Sequence, residues 1–285
     1  EGVSLTGMIE SPMVIHLAQR PGPATGLPTR TEQGDLNLVL YSGHGEFPRI
    51  IFSPGNVLET FYLTQKAFNL ADKFQIPVFI LTDQFLIDSY YNMPNLDLSK
   101  LEITNYIIRT EKNYRRYQLT PNGISPRGIP SFGEGLVCVD SDEHNEEGLI
   151  TENMSIRTLM VDKRLKKMES IIQECEEPKF FGDINYKTLI IGWGSTLNII
   201  NEALEKINSK EVAFLHFSQV YPLNIKIKEY LKKAKKTIII ENNATSQFGN
   251  LIKQLTGFEI EYKILKYNGL AFYVEEIIEK LKEII

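Results

Sequence analysis

The 285-residue sequence predicts an α/β protein. Three observations carry this. Short apolar, β-branched runs recur along the chain. Several are continuous rather than alternating, as in Val78-Phe79-Ile80-Leu81 and Ile238-Ile239-Ile240, which suits strands buried on both faces of a parallel sheet. Amphipathic helical stretches lie between them, and such alternation implies right-handed crossovers.

In chain order, strands are predicted at residues 13–17, 49–52, 77–81, 136–140, 188–191, 212–217, 237–240 and 261–266. A helix is predicted over 57–74, where Leu58, Phe61, Tyr62, Ala67, Phe68 and Ala71 form an apolar stripe, and others over 197–207, 225–231, 247–255 and 274–285. The alternation breaks twice. Residues 88–135 are rich in proline and glycine and read as an ordered excursion, because Tyr90, Tyr91, Tyr106, Tyr114, Tyr117 and Phe132 call for burial. Residues 140–156 are acidic and polar. A charged helix then runs over 157–174, with Lys163, Arg164, Lys166 and Lys167, and bridges two domains that divide near 178–185.

Composition excludes several classes. Apolar residues make up 42% and charged residues 24%, the balance of a globular chain with a real core. No run of about 18 apolar residues is present to cross a membrane. The net charge of -5 argues against nucleic acid as a partner, since phosphate neutralisation needs a basic surface. Two cysteines, Cys138 and Cys175, cannot build a disulfide framework or supply the roughly four thiolates of an iron–sulfur cluster. The expectation is a reduced, cytoplasmic protein, and the non-Met first residue reads as a piece of a longer chain.

The most unusual segment follows the first strand: Gln19-Arg20-Pro21-Gly22-Pro23-Ala24-Thr25-Gly26-Leu27-Pro28-Thr29-Arg30-Thr31-Glu32-Gln33-Gly34-Asp35. Loops at the carboxyl ends of parallel strands are where α/β folds bind ligands. Prolines and glycines fix this backbone, so Arg20 and Thr29 are held with little ordering cost. The guanidinium of Arg20 offers a planar fork for a carboxylate or phosphate. The plainer alternative is a rigid surface turn with solvated arginines. His44, between glycines in Ser42-Gly43-His44-Gly45-Glu46-Phe47-Pro48-Arg49, is accessible for a hydrogen bond near neutral pH, or is incidental to a turn. Gly192-Trp193-Gly194-Ser195-Thr196 suits a phosphate at a helix N-terminus or, more plainly, a turn in which Ser195 or Thr196 caps a helix. Glu241-Asn242-Asn243-Ala244-Thr245 reads as a cap and turn. His16 and His216 fall inside strand runs as core or interface residues. No spacing suggests a metal site or a nucleophile elbow, and Glu32 and Asp35 are not spaced diagnostically for acid–base work.

Residues 1–12, Glu1-Gly2-Val3-Ser4-Leu5-Thr6-Gly7-Met8-Ile9-Glu10-Ser11-Pro12, leading into Gln19–Thr29, resemble the alpha subunit of 2-oxoacid:ferredoxin oxidoreductases, and within them the 2-oxoglutarate synthase branch. Gly43–Arg49, Asp83-Gln84, Glu241–Thr245 and Tyr267-Asn268-Gly269 fit the same family in the same order. The resemblance implies an incomplete thiamine-enzyme pyrimidine-type domain over 1–150, containing the excursion 88–135; a connecting helix and linker over 151–182; and a transketolase-C-like α/β domain over 183–285. It implies oxidative decarboxylation of a 2-oxoacid with CoA to acyl-CoA and CO2, reducing ferredoxin. It places thiamine diphosphate, Mg2+ and a [4Fe-4S] cluster on a beta subunit, with gamma and delta subunits as further partners and no cofactor held by this chain alone.

By position in that family, Arg20 binds the 2-oxoacid carboxylate and Thr29 lines the pocket, with Thr25, His44 and Arg49 as further lining; no catalytic residue is assigned here. The family's Tyr-Pro-Ile-Thr-Pro loop and pyrimidine-activating glutamate precede the point where this sequence starts. The expectations are therefore an amino-terminally truncated subunit, inactive alone, with exposed strand edges in its first domain and reduced stability. Pyruvate or branched-chain 2-oxoacids are alternative substrates. A non-catalytic assembly module and a nucleotide-binding protein using Gly192–Thr196 are the alternatives of other classes.

Overall fold

Two parallel sheets, each closed at one edge by an antiparallel strand, organise the chain. The computed structural model describes the backbone of residues 1–285 and every side chain but that of Lys100. The first half runs α1 (Gly2–Met8), β1 (Met13–Gln19), α2 (Leu36–Leu40), β2 (Ile50–Phe52), α3 (Val57–Phe74), β3 (Pro77–Asp83) and α4 (Gln84–Asp88). The long helix α5 (Met154–Gln173) leads to β4 (Lys179–Phe181), β5 (Thr188–Trp193), α6 (Thr196–Ile207), β6 (Val212–Phe217), β7 (Gln219–Tyr221), α7 (Ile227–Lys233), β8 (Lys236–Glu241), α8 (Gln247–Thr256), β9 (Tyr262–Leu265) and α9 (Val274–Ile284). No helix among the described residues is long and apolar enough to cross a membrane.

The first sheet has the order β1-β3-β2-β7 and the second β4-β6-β5-β8-β9. β3, central and apolar from Pro77 to Leu81, is buried along its whole length. β1 pairs only with β3 and forms an edge, so its residues alternate between exposed and covered. His16 is therefore exposed, not a core residue, and bonds Thr82 Oγ1 at 2.8 Å. One strand crosses the expected domain division: β7 belongs in sequence to the second domain but pairs antiparallel with β2 of the first sheet. Residues 179–181, expected in the linker, form β4 against β6. One apolar cluster joins Leu36, Val39, Ile51, Phe79 and Leu81 to Trp193, Phe217 and Phe248, so the two sheets share a core.

Several sequence expectations change. α3 buries Leu63, Ala67, Leu70, Ala71 and Phe74, while Phe68 faces outward. The predicted strand 136–140 does not form: Leu136 is 81% exposed, and no strand lies beside it to satisfy its backbone. In the excursion only Tyr117 is fully buried among the aromatics expected inside; Tyr90 and Phe132 are exposed, and Tyr91, Tyr106 and Tyr114 are half-buried. The charged helix α5 turns Lys163, Arg164 and Lys167 inward. Lys163 and Lys167 meet Glu10, which follows α1, at 2.6 and 2.5 Å, and Arg164 forks onto Glu143 with contacts of 3.0 and 2.8 Å.

Candidate functional site

The loop after β1 spans both halves of the molecule. It leaves the first sheet at Gln19, winds through residues 20–30, then crosses to the carboxyl ends of the second sheet before entering α2. Its winding is tight: Ala24, Gly26 and Thr29 all have positive φ, of 53, 53 and 56°, a region favouring glycine. Gly26 needs to be glycine also because a Cβ there would collide with the Pro21 backbone, whose carbonyl accepts the Leu27 N–H at 3.1 Å. Arg20, Thr25 and Thr29 all lie on this loop and are exposed, so one rigid feature presents the three together.

What holds the loop is the carboxyl-end region of the second sheet. Gln33 is fully buried: its side chain donates to the Trp193 carbonyl at 2.8 Å and accepts from Asn242 N–H at 3.0 Å, and its own N–H reaches the Asn242 carbonyl at 2.7 Å. Thr31 N–H reaches the Gly269 carbonyl at 3.1 Å, and Gln247 donates to the Gly34 carbonyl at 2.7 Å. Leu27 and Arg30 pack over Gly269, where a Cβ would stand 2.7 Å from Leu27 Cδ2. Gln33→Ala is expected to leave several buried groups unpaired and to destabilise the chain by about 2–4 kcal/mol. Urea unfolding checks this, and a change under about 1 kcal/mol would show the loop to be held elsewhere.

Behind the loop, Asp83 at the end of β3 is buried. It accepts from Ser195 Oγ and from Leu86 N–H at 2.9 Å. Burial raises its pKa, opposed by these bonds. Ser195 stands at the N-cap of α6, one of the two caps expected, but its hydroxyl makes no cap bond and goes to Asp83 of the first sheet instead; Thr196 bonds back to Trp193 at 2.8 Å. The Gly192–Thr196 turn is filled by protein, since Ser53 Oγ and Gln33 Nε2 crowd Gly194. Glu241 ends β8 and accepts from Trp193 Nε1, Asn243 Nδ2, Ser246 Oγ, and the N–H groups of Phe248 and Gly249, at 2.7–3.1 Å. It thereby caps α8 and fixes the turn whose Asn242 holds Gln33.

His44 and Arg49 are not brought to this loop's exposed face. His44 is exposed beside Ser4, whose Oγ accepts the His44 N–H at 2.5 Å, and lines a separate cavity of about 630 Å3 with Gly7, Phe47 and Arg164. Arg49 is buried and donates to the carbonyls of Val39 and Ser42 at 2.8 and 2.7 Å, with Phe47 under its guanidinium. Its donors hold the 39–42 turn. Among the described residues no group of three His, Cys, Asp or Glu is placed to hold a metal ion.

The comparisons with known proteins agree with one another. Residues 1–163 match the family described as pyruvate flavodoxin/ferredoxin oxidoreductase, thiamine diphosphate-binding. Over its whole length the chain is 38% identical to 46% of the 2-oxoacid:ferredoxin oxidoreductase 1 subunit alpha of Sulfurisphaera tokodaii. It is 29% identical, over 85% of its own length and 66% of the relative's, to the 2-oxoglutarate synthase subunit KorA of Methanocaldococcus jannaschii. A solved 2-oxoglutarate:ferredoxin oxidoreductase from Magnetococcus marinus, with 2-oxoglutarate, coenzyme A and succinyl-CoA bound, superimposes with a TM-score of 0.92 at 30% identity, covering 99% of this chain and 50% of that one. The chain spans about half the length of these curated 2-oxoacid:ferredoxin oxidoreductase alpha subunits.

Proposed function

Because the chain belongs to the thiamine diphosphate-binding family of pyruvate flavodoxin/ferredoxin oxidoreductases, we propose that it forms the substrate-binding part of a 2-oxoacid:ferredoxin oxidoreductase alpha subunit. The reaction is oxidative decarboxylation of a 2-oxoacid, 2-oxoglutarate above all, with CoA to acyl-CoA and CO2, passing electrons to ferredoxin. The observation that carries this is the Arg20–Thr29 loop, exposed at the end of β1 and continued by Thr31 and Gln33, which bond Gly269, Trp193 and Asn242 of the second half of the chain.

Arg20 pairs with the carboxylate of the 2-oxoacid and orients its keto carbon; Thr29 and Thr25 line the same pocket. A second carboxylate asks for a second cation. Arg30 supplies it, exposed on the same loop with its guanidinium resting on the Thr29 carbonyl at 3.1 Å; Arg49 is committed to the 39–42 turn. The side chains of this chain do not fit a diphosphate with its cation: the Gly192–Thr196 turn is filled by Ser53 and Gln33, and the described acids and histidines form no metal-binding group. Thiamine diphosphate, Mg2+ and the [4Fe-4S] cluster are assigned to a beta subunit, and no step here is routed through them.

The test is methyl-viologen reduction by the full-length alpha subunit with its partner, across a panel of 2-oxoacids with CoA. Arg20→Ala is expected to raise the 2-oxoacid KM about ten- to hundredfold, the worth of one charge-assisted contact of about 1.5–3 kcal/mol. If Arg20→Ala weakens subunit association alone and leaves KM in place, the loop is an assembly surface instead.

A further inference from the structure

The two cations assigned to the substrate rest on different supports. Arg20 follows directly on Gln19, the last residue of β1, which is in register with Asp83 of β3. Arg30 closes the loop, and beneath it lies the turn that follows β9. Gly269 in that turn has a φ of 82°, a conformation that favours glycine. A Cβ at Gly269 would stand 2.7 Å from Leu27 Cδ2, 3.2 Å from Arg30 Cβ and 3.4 Å from Arg30 Cγ, so no side chain fits between turn and loop. The Gly269 carbonyl accepts the N–H of Thr31 at 3.1 Å. Thr31 Oγ1 in turn accepts the Phe85 N–H at 3.1 Å.

The turn has one buried support. Asn242 is 5% exposed and divides its hydrogen bonds between two neighbours. Its backbone N–H and carbonyl bond Gln33. Its side-chain amide donates to the Lys266 carbonyl at 2.6 Å and to the Leu270 carbonyl at 3.3 Å, the two ends of the turn. Inside the turn, Asn268 Oδ1 accepts the Leu270 N–H at 3.1 Å. The Lys266 ammonium is committed to Glu276 of α9 at 2.6 Å. What the turn offers the loop is therefore backbone: a narrow seat, fixed from behind, on which Arg30 and Leu27 rest.

We propose that Gly269, held by Asn242, is a positioning residue for substrate length. It seats Arg30 against the turn after β9 and so sets where the second cation stands relative to Arg20, which favours a 2-oxoacid with a second carboxylate over one without. The inference rests on the role proposed above for Arg30.

Viologen reduction by the full complex at saturating CoA gives kcat/KM for 2-oxoglutarate and for pyruvate, which share the 2-oxoacid head and differ at the distal carboxylate. Their ratio is the readout, because lost fold or lost complex lowers both values together. Gly269→Ala sets a methyl against Leu27 and Arg30, lifts Arg30 off its seat and lowers the 2-oxoglutarate:pyruvate ratio about five- to thirtyfold. Adding Leu27→Ala removes the atom in closest conflict and raises the ratio again. Asn242→Ala keeps the backbone bonds to Gln33 but frees the turn, and lowers the ratio about three- to tenfold. The melting temperature of each variant is recorded beside the rates. A ratio unmoved in Gly269→Ala, with both values falling in step, overturns the proposal and leaves the turn a structural support. If Gly269→Ala does not fold, the ratio in Asn242→Ala decides alone. Arg30→Ala separates the two levels. A ratio unmoved there, or a wild-type complex with no preference for 2-oxoglutarate, defeats the role of Arg30. A lowered ratio in Arg30→Ala with none in Gly269→Ala or Asn242→Ala defeats only the seat.

Discussion

Glu10→Gln is expected to destabilise the protein by about 3–5 kcal/mol, the scale for breaking a buried ion pair from one side. The Glu10 carboxylate sits between Lys163 at 2.6 Å and Lys167 at 2.5 Å, and all three side chains are 1% exposed. Removing the anion leaves two buried ammonium groups facing one another with Arg116 nearby. Arg116 itself donates to the Glu10 carbonyl at 2.7 Å. Replacing all three by Leu, Met and Met should recover most of the loss, because the pairing then disappears together with its desolvation cost. Acid titration gives a second readout. Burial by itself raises the Glu10 pKa, but the attraction of Lys167 and Lys163 outweighs it and brings the carboxyl from 4.5 to about 2. A folded pKa below the unfolded one contributes stability that is complete above the unfolded value and is lost as the pH falls toward the folded one. Wild type should therefore weaken between about pH 4.5 and 2, and Glu10→Gln should show a flatter profile there. Parallel profiles for the two proteins would contradict this.

Glu241→Ala is expected to be comparably severe, at about 4 kcal/mol or more. Five donors converge on this fully buried carboxylate, and each one left unpaired in the interior carries its own penalty. Because the turn it fixes carries Asn242, the variant should also loosen Gln33 and raise the 2-oxoacid KM. Thermal unfolding together with the viologen assay checks both. A stable variant with an unchanged KM would show that the 242–246 turn holds its shape without the carboxylate.

The parallel strands were legible because burial on both faces leaves a direct mark on composition: 77–81, 188–191, 212–217 and 237–240 all lie in strands. β4 and β7 were not, being three residues each and defined by partners far away in sequence. The stretch 136–140 carries the composition of a strand without a neighbour to pair with. For the site, the proline–glycine loop announced itself, and so did its position after a strand. Gln33 gave no local signal; its role exists only because the ends of β5 and β8 in the second sheet arrive beside it. Asp83, Ser195 and Glu241 are similar cases, polar side chains whose work is set by tertiary neighbours. Arg49 and His44 looked alike on paper, both polar and flanked by small or turn-forming residues, yet one is sealed inside a turn and the other faces solvent.

The strand β7 bears on how such a protein can be recombined. It is encoded beyond the linker but is stitched to β2, so the two halves are not exchangeable cassettes. A chimaera that took its second half from a relative would import a foreign border strand into the first sheet. A gene split between β4 and β5 would yield an amino-terminal product whose sheet stops at β2, with bare amides where β7 belongs. Such fragments would need to be made together, each serving as the other's template.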